Sequence, residues 1–466
     1  MPLNNTSPAV HAASRTSCFK AYDIRGRVDD ELDADLAYRL GLAYCDRFSP
    51  RRVALGRDVR HSSPMLLDAL ARAFNVGGVE VLDLGLCGTE ETYWAAQQSG
   101  VDGGIQITAS HNPIDYNGLK LVRGGAVPIS GDSGLRDLEH AVARSRAVAP
   151  QRTPQLTPTS FRAQYVRYLL EQIDLSVLRP LRIVMNAGNG AVGPLLDALR
   201  PQLPFELIVV HAEPDGRFPN GIPNPLLPEM RTDTIAAVQA HGADFGVAWD
   251  GDFDRCFLFD EQGRFIEGYY IVGLLAEVLL DKASPASAER IVHDPRLVWN
   301  TIDVVARHGG VPVQSKTGHA FIKERMRVEN ALYGGEMSAH HYFRSFAYCD
   351  NGTLPWLLVA ELLSVSGRRL SQLVDARMAA FPASGEINRR VEDVSAVLAR
   401  TEGHFGAQAL ALDCTDGISL DFGDWRFNLR GSNTEPLLRL NVEARADSAL
   451  MRARTAEVLA YIDRFG

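Results

Sequence analysis

Three times along the chain a short apolar strand leads into a helix and back into a strand, and no other feature constrains the fold as strongly. Val53-Ala54-Leu55 passes through a polar loop to an apolar-periodic stretch at residues 64–76; Gly77-Gly78 ends it and Val79-Glu80-Val81-Leu82 follows. A second copy runs from residues 181–185 through Asn186-Ala187-Gly188-Asn189-Gly190 and a helix at 192–199 to a strand at 205–210. The third runs from Arg290–His293 through a helix at 297–307 and Gly309-Gly310 to Val311–Gln314. Short connections with glycine at the helix end are the βαβ pattern, which implies mainly parallel, helix-covered sheets. Copies so widely spaced indicate three related α/β domains, not a short-period solenoid.

From about Phe381 the texture changes to short alternating strands at 409–412, 418–422, 425–429 and 437–444, closed by an amphipathic helix at 448–462. This predicts a smaller α+β module. Residues 147–160 are rich in Pro and Thr and read as a linker. The expected division is a mobile extension at 1–17 and domains at 18–155, 156–264, 265–378 and 379–466.

A net charge of -9 argues against a general nucleic-acid or anionic-membrane surface. It leaves room for anionic substrates held by a few clustered cations. Six cysteines are scattered without a C-x-x-C pair, which favours reduced thiols in a cytoplasmic protein over disulfides or zinc. Residues 1–17 lack the apolar core of a signal peptide, and no apolar run is long enough to span a bilayer.

Two local motifs carry chemistry. The first is Thr108-Ala109-Ser110-His111-Asn112-Pro113, which follows the strand-like Gly103-Gly104-Ile105-Gln106-Ile107. Pro113 has no N–H to continue a ladder, so Ser110 is expected on a tight exposed loop with His111 beside it. By itself such a serine is equally a turn residue or a helix cap.

The second motif is Asp250-Gly251-Asp252-Phe253-Asp254-Arg255, set between the runs Val247-Ala248-Trp249 and Cys256-Phe257-Leu258-Phe259. Alternate residues of an extended loop point the same way, so the three aspartates can converge. Ionised carboxylates crowd together only around a cation, and hard oxygen ligands select Mg²⁺ or Ca²⁺. An EF-hand would also space its Asp residues so, but Arg255 occupies the obligatory Gly position. A phosphatase with Asp250 as nucleophile would leave the serine motif and the distant cationic loops without purpose, and a solvated acidic turn is the plain alternative.

Taken together, the short motifs resemble the α-D-phosphohexomutase superfamily in its bacterial phosphomannomutase/phosphoglucomutase branch. The likeness extends from Phe19 to about Ala444. It rests on Lys20-Ala-Tyr22-Asp-Ile-Arg25-Gly26, Thr108-Ala-Ser110-His-Asn-Pro113, Asp250-Gly-Asp252-Phe-Asp254-Arg255, Lys316-Thr317-Gly318-His319, Gly335-Glu336-Met337-Ser338-Ala-His340 and Arg430-Gly-Ser432-Asn433-Thr434-Glu-Pro436. Asn220-Gly-Ile-Pro-Asn-Pro225 looks closest to the phosphomannomutase side.

The resemblance implies four domains around a central cleft, with Ser110 carried as phosphoserine. Mg²⁺ would be held by the Ser110 phosphate and by Asp250, Asp252 and Asp254, with Arg255 as a clamp beside it. It implies interconversion of hexose 1-phosphate and hexose 6-phosphate, of mannose and/or glucose, through glucose 1,6-bisphosphate or mannose 1,6-bisphosphate. Arg430, Ser432, Asn433 and Thr434 would anchor the phosphate that is not reacting, and Glu336 and Ser338 would address the sugar hydroxyls. Tyr22, Arg25 and His111 would line the reacting end, while Lys316, Thr317, Gly318 and His319, joined by Arg296, would bind phosphate or sugar.

Lys120 is the favoured acid/base, through a pKa lowered by neighbouring cations, with His340 as the second candidate. Three departures from the family pattern stand out: Phe253 where many relatives have Gly, Arg296 where a Lys is expected, and Asn441 where some relatives place an Arg. Arg439, on the same strand face, is a possible replacement for the last. A monomer feeding nucleotide-sugar and exopolysaccharide synthesis is expected. A serine-type phosphatase and a silent sugar-phosphate-binding protein are the alternatives.

Overall fold

The computed structural model describes residues 16–283, 288–431 and 437–465. The chain divides into two compact units: one joins Met1–Phe259 with Cys349–Glu361, the other Asp260–Tyr348 with Leu362–Gly466. Of the expected extension, residues 1–15 lie outside the described residues, while Ser17 is tied down by donating to Glu31 Oε1 at 2.7 Å.

In the first unit a seven-stranded sheet runs in the order Ile24–Arg27, Tyr116–Arg123, Gly103–Ile107, Arg52–Arg57, Glu80–Leu86, Thr157–Pro158, with Val127–Pro128 attached to Tyr116–Arg123. Arg52–Arg57 is parallel to both Glu80–Leu86 and Gly103–Ile107, whereas Tyr116–Arg123 returns antiparallel. Helix Ser63–Val76 begins with Pro64 in its first turn, where a missing N–H costs nothing. Its Leu66, Leu70 and Phe74 enter one buried cluster with Leu36, Leu40 and Tyr44 of helix Ala34–Phe48. The stretch read as a linker departs from expectation, because Thr157–Pro158 pairs with Leu82 and Asp83. Pro158 is tolerated because this strand forms the sheet edge.

The second sheet centres on Arg182–Asn186, parallel to Glu206–Val210 and to Phe245–Trp249. Cys256–Phe259 pairs antiparallel with Phe245–Trp249, which leaves residues 250–255 at the tip of a buried hairpin.

In the second unit Arg290–His293 lies parallel to Val311–Gln314 and Tyr333–Gly335, and His341–Phe343 returns antiparallel. The last module is an antiparallel five-stranded sheet in the order Ile387–Arg390, Leu437–Ala444, Trp425–Gly431, Ile418–Asp421, Ala411–Asp413. Alternate residues Leu420, Phe427, Leu429, Leu438, Leu440 and Val442 pack against Val397 and Phe405 of one helix and Val458 and Ile462 of another. Three mixed sheets followed by a smaller α+β module is the architecture expected from the strand–helix pattern. Among the described residues, no helix is long and apolar enough to cross a membrane.

Candidate active site

Ser110 follows the carboxyl end of strand Gly103–Ile107 and takes a left-handed backbone, φ 50°. It is only 2 % exposed, so the exposed serine expected from the sequence is corrected. Its Oγ is enclosed by partners, donating to Asp250 Oδ2 at 2.5 Å and lying 2.9 Å from His111 Nδ1 and 3.3 Å from Arg255 Nη2.

A left-handed non-glycine costs about 1–3 kcal/mol and persists only when its surroundings over-determine it. Arg60 provides that constraint. Its guanidinium donates to the carbonyls of Ser110 at 3.1 Å, Asn112 at 2.6 Å, Pro113 at 2.7 Å and Tyr116 at 3.0 Å. Asp58, 3.5 Å away and equally buried, holds Arg60 in turn. Arg25 braces the same loop by donating to Asn112 Oδ1 at 2.7 Å and to Asp23 at 2.9 Å, and Tyr22 is half-buried nearby in sequence.

The aspartates converge, though not by the extended alternation expected. The loop is a turn: Phe253 N donates to the Asp250 carbonyl at 3.1 Å, and Phe253 itself has φ 47°. One oxygen from each of Asp250, Asp252 and Asp254 lies within 4.8 Å of the others. Among the described residues, the second oxygens of Asp250 and Asp252 are buried without a hydrogen-bond partner. Three converging buried carboxylates, two of them with such spare oxygens, suit a hard divalent cation, and this triad could bind one.

Close packing fixes the turn. A Cβ on Gly251 would lie 2.6 Å from the Ser110 carbonyl, and one on Gly88 would enter the Phe253 ring at 2.1 Å. Phe253, the departure from glycine, is therefore accommodated by the missing side chain at position 88. Thr89 adds a hydroxyl donor to Asp252 Oδ2 at 2.6 Å. Next to it, Glu90 accepts from Gly352 N at 2.8 Å and Thr353 N at 3.2 Å, and burial pushes its carboxyl up to about 8.

Arg255 donates to Asp250 Oδ2 from Nε at 2.9 Å and Nη2 at 2.7 Å, and Nη2 also donates to His111 Nδ1. Burial and then this guanidinium push the His111 imidazole down to about 4, leaving it neutral near pH 7. Lys120 departs from expectation. Burial alone would lower its pKa, but the ammonium donates to Asp252 Oδ2 at 2.7 Å and to Asp254 Oδ2, and the two carboxylates outweigh burial and hold it above the ordinary lysine value. The neighbours that matter are anions, not the cations the sequence reading assumed.

The second unit gathers the other candidates around Glu336 and Glu386. Glu336 is 2 % exposed and accepts from Gly318 N at 2.9 Å and the Tyr342 hydroxyl at 2.5 Å, with His340 Nδ1 at 3.4 Å. Burial works against its charge, but His340 and Arg296 prevail and keep the carboxyl well below the usual range. Ser338 Oγ lies 3.4 Å from His340 Nδ1, and the His319 and His340 rings are 6.3 Å apart. Thr317 N donates to Asp416 at 3.3 Å, while Lys316 is exposed with its ammonium over the Phe321 ring.

Arg296 is buried against Asp294 at 2.7 Å and reaches Glu386 at 3.4 Å. Arg426 donates to the Pro295 and Arg296 carbonyls, each at 3.0 Å, and so anchors that loop. Arg430 lies 3.3 Å from Glu386 Oε2 and Arg439 2.9 Å from its Oε1. Ser432, Asn433 and Thr434 lie outside the described residues. Asn441 donates to the Gly385 carbonyl at 3.0 Å, so it serves as a backbone tie.

Sequence reading missed Arg60, Thr89, Glu386 and Arg426. The one available signal was position: Arg60 lies just past the carboxyl end of strand Arg52–Arg57, where ligand-handling residues of parallel sheets collect.

Models of the phosphoglucomutase/phosphomannomutase family match four segments: alpha/beta/alpha domain I at residues 16–147, domain II at 163–263, domain III at 267–381 and the C-terminal domain at 386–460. A phosphomannomutase of Salmonella montevideo is 59% identical over 451 residues, covering 95% of this chain and 98% of the relative. The phosphohexose mutases of Xanthomonas campestris pv. campestris (strain ATCC 33913) are 59% identical over 440 residues, covering 94% and 98%. Among solved structures, a phosphoglucomutase/phosphomannomutase family protein from Burkholderia thailandensis superposes with TM-score 0.85 at 32% identity, covering 96% of this chain and 98% of its own. The chain belongs to the phosphoglucomutase/phosphomannomutase family and is a phosphohexomutase.

Proposed function

We propose that the enzyme interconverts hexose 1-phosphate and hexose 6-phosphate, of mannose and/or glucose, with Ser110 as the phosphoryl carrier. The observation that carries this reading is a strained, buried serine whose Oγ lies 2.5 Å from a carboxylate of the triad. In the forward direction phospho-Ser110 gives its phosphoryl group to the free sugar hydroxyl; the Oγ–P bond breaks as the sugar O–P bond forms. The resulting glucose 1,6-bisphosphate or mannose 1,6-bisphosphate then returns its other phosphoryl group to Ser110 Oγ, restoring the enzyme.

Asp250, Asp252 and Asp254 would hold Mg²⁺. When bound, that cation neutralises oxygens of the transferring phosphoryl group. Arg255 and Arg25 add fixed positive charge beside Ser110, and neutral His111 receives or orients the Oγ proton. Lys120, kept protonated by its double ion pair, adds fixed positive charge beside the triad and is not suited to giving up its proton, which leaves His340 beside Glu336 as the acid/base candidate. Glu336, Ser338 and His319 address the sugar, while Lys316, Thr317, Gly318, Arg296 and Arg430 hold the distal phosphate.

Six free cysteines fit work in the reducing cytoplasm. The test is Ser110→Ala: turnover with mannose 1-phosphate should fall by about 10⁴-fold or more, because removal of a covalent nucleophile leaves only binding and electrostatics. Turnover near wild type with an intact fold would end the phosphoserine reading.

A further inference from the structure

Strands Trp425–Gly431 and Leu437–Ala444 set Arg430 directly opposite Arg439. Like charges at that spacing repel. Glu386 relieves the repulsion by placing one oxygen on each guanidinium, Oε2 at 3.3 Å from Arg430 and Oε1 at 2.9 Å from Arg439. Oε2 also meets Arg296 at 3.4 Å. An anion with separate oxygens on facing arginines is the arrangement a phosphate adopts on two guanidiniums.

The other carboxylates near Arg296 are sealed: the Asp294 and Glu336 side chains are 3 % and 2 % exposed, whereas Glu386 is 20 % exposed. Its backbone is pinned, because Asn441 holds the Gly385 carbonyl at 3.0 Å and Ser384 N donates to Val442 O at 2.8 Å. The side chain is thus the part that can exchange. Among the described residues, Nε of Arg296 and Nε of Arg430 are buried without a hydrogen-bond partner, on side chains about 95 % enclosed. The cluster therefore holds more donors than Glu386 satisfies.

We propose that Glu386 is a resident counter-anion, exchanged for the non-reacting phosphate of the substrate, and that Arg439 grips that phosphate together with Arg430. The inference rests on the reading above in one respect, that Arg430 binds substrate phosphate. A permanent carboxylate beside a phosphate dianion would weaken the grip by like-charge repulsion, whereas a departing one keeps the arginines aligned between visits. A mutase gains from this, because its anchor must release one phosphate and accept another within each cycle.

The test is binding of inorganic phosphate to the full-length protein by titration calorimetry, which needs no turnover. Glu386→Gln should tighten phosphate binding by about 5- to 10-fold, in line with removal of one competing charge, and Glu386→Asp should stay near wild type. Arg439→Met should weaken binding by about 10-fold, with Arg439→Lys between it and wild type. Binding that is unchanged or weaker in a folded Glu386→Gln protein overturns the exchange, and unchanged binding in Arg439→Met removes Arg439 from the grip. Phosphorylation of Ser110 by the bisphosphate is read separately in each variant, so failure of this inference is distinct from failure of the phosphoserine reading.

Discussion

The region around Ser110 and the region around Glu386 each collect several charges, yet they balance them in opposite ways. At Ser110 three carboxylates converge on Lys120 and Arg255, and among the described residues Asp250 and Asp252 each keep a buried oxygen without a partner, which a divalent cation can complete. At Glu386 three arginines share one partly exposed carboxylate. Although Arg296 also pairs with buried Asp294, among the described residues Nε of Arg296 and of Arg430 stays unsatisfied, a surplus of donors that suits an incoming anion. Both use a buried arginine to lock loop carbonyls, Arg60 beneath residues 110–116 and Arg426 beneath residues 295–296. The difference lies in freedom: Ser110 is fixed at 2 % exposure, while Glu386 and Arg439 keep 20 % and 28 % of their side chains accessible. Phosphoryl transfer tolerates little misplacement at the reacting atoms, whereas an anchor that takes either phosphate needs to let go.

The contrast can be broken by experiment. Its largest consequence is at the triad: Asp252→Asn should lower turnover by about 10²- to 10³-fold and raise the Mg²⁺ concentration needed, and chelation should stop the wild type. Activity that is indifferent to chelator would remove the cation from the account.

The split between fixed and exchangeable regions is sharpened by a pair of variants. Arg60→Met should cut kcat by about 10²-fold with little change in KM, since it frees the Ser110 loop without touching the grip. Arg430→Ala should instead raise KM for 1- and 6-phosphates alike; an effect on only one would contradict a shared anchor. Arg60→Met should also lower the unfolding midpoint, because Asp58 is left as an unpaired buried charge, and Arg60→Lys tests whether partial restoration of carbonyl contacts recovers kcat.

The smallest effect concerns Glu90, whose buried carboxyl titrates near 8 in the fold against an ordinary value of 4.5. A raised folded pKa means that the folded state binds the proton more tightly. Its stabilising contribution is complete below pH 4.5 and is lost as pH rises toward 8. The urea midpoint should therefore decline over that window in the wild type and decline less in Glu90→Gln.

Much of this was legible from local pattern. The βαβ copies and the change of texture at residue 381 gave the four modules, because burial periodicity is written in neighbouring residues. Ser110 and the aspartates were legible because strand end, proline and alternate acids occur within six residues. Arg60 was not, since it reaches its carbonyls across 50 residues, nor was Thr89, which meets Asp252 from 163 residues away. Lys120 shows the same limit: its strand neighbours gave no sign that two aspartates from 132 and 134 residues later would raise its pKa. Glu386 was not legible either, because the arginines it pairs with lie 44, 53 and 90 residues away in sequence.

The central claim is that Ser110 Oγ carries the phosphoryl group. It is tested most directly by incubating the enzyme with mannose 1,6-bisphosphate radiolabelled in its phosphates, mapping the label, and chasing with unlabelled mannose 1-phosphate. The account predicts label on the peptide bearing Ser110, discharged into sugar phosphate during the chase. Label on another residue, or turnover with none on the protein, would contradict it.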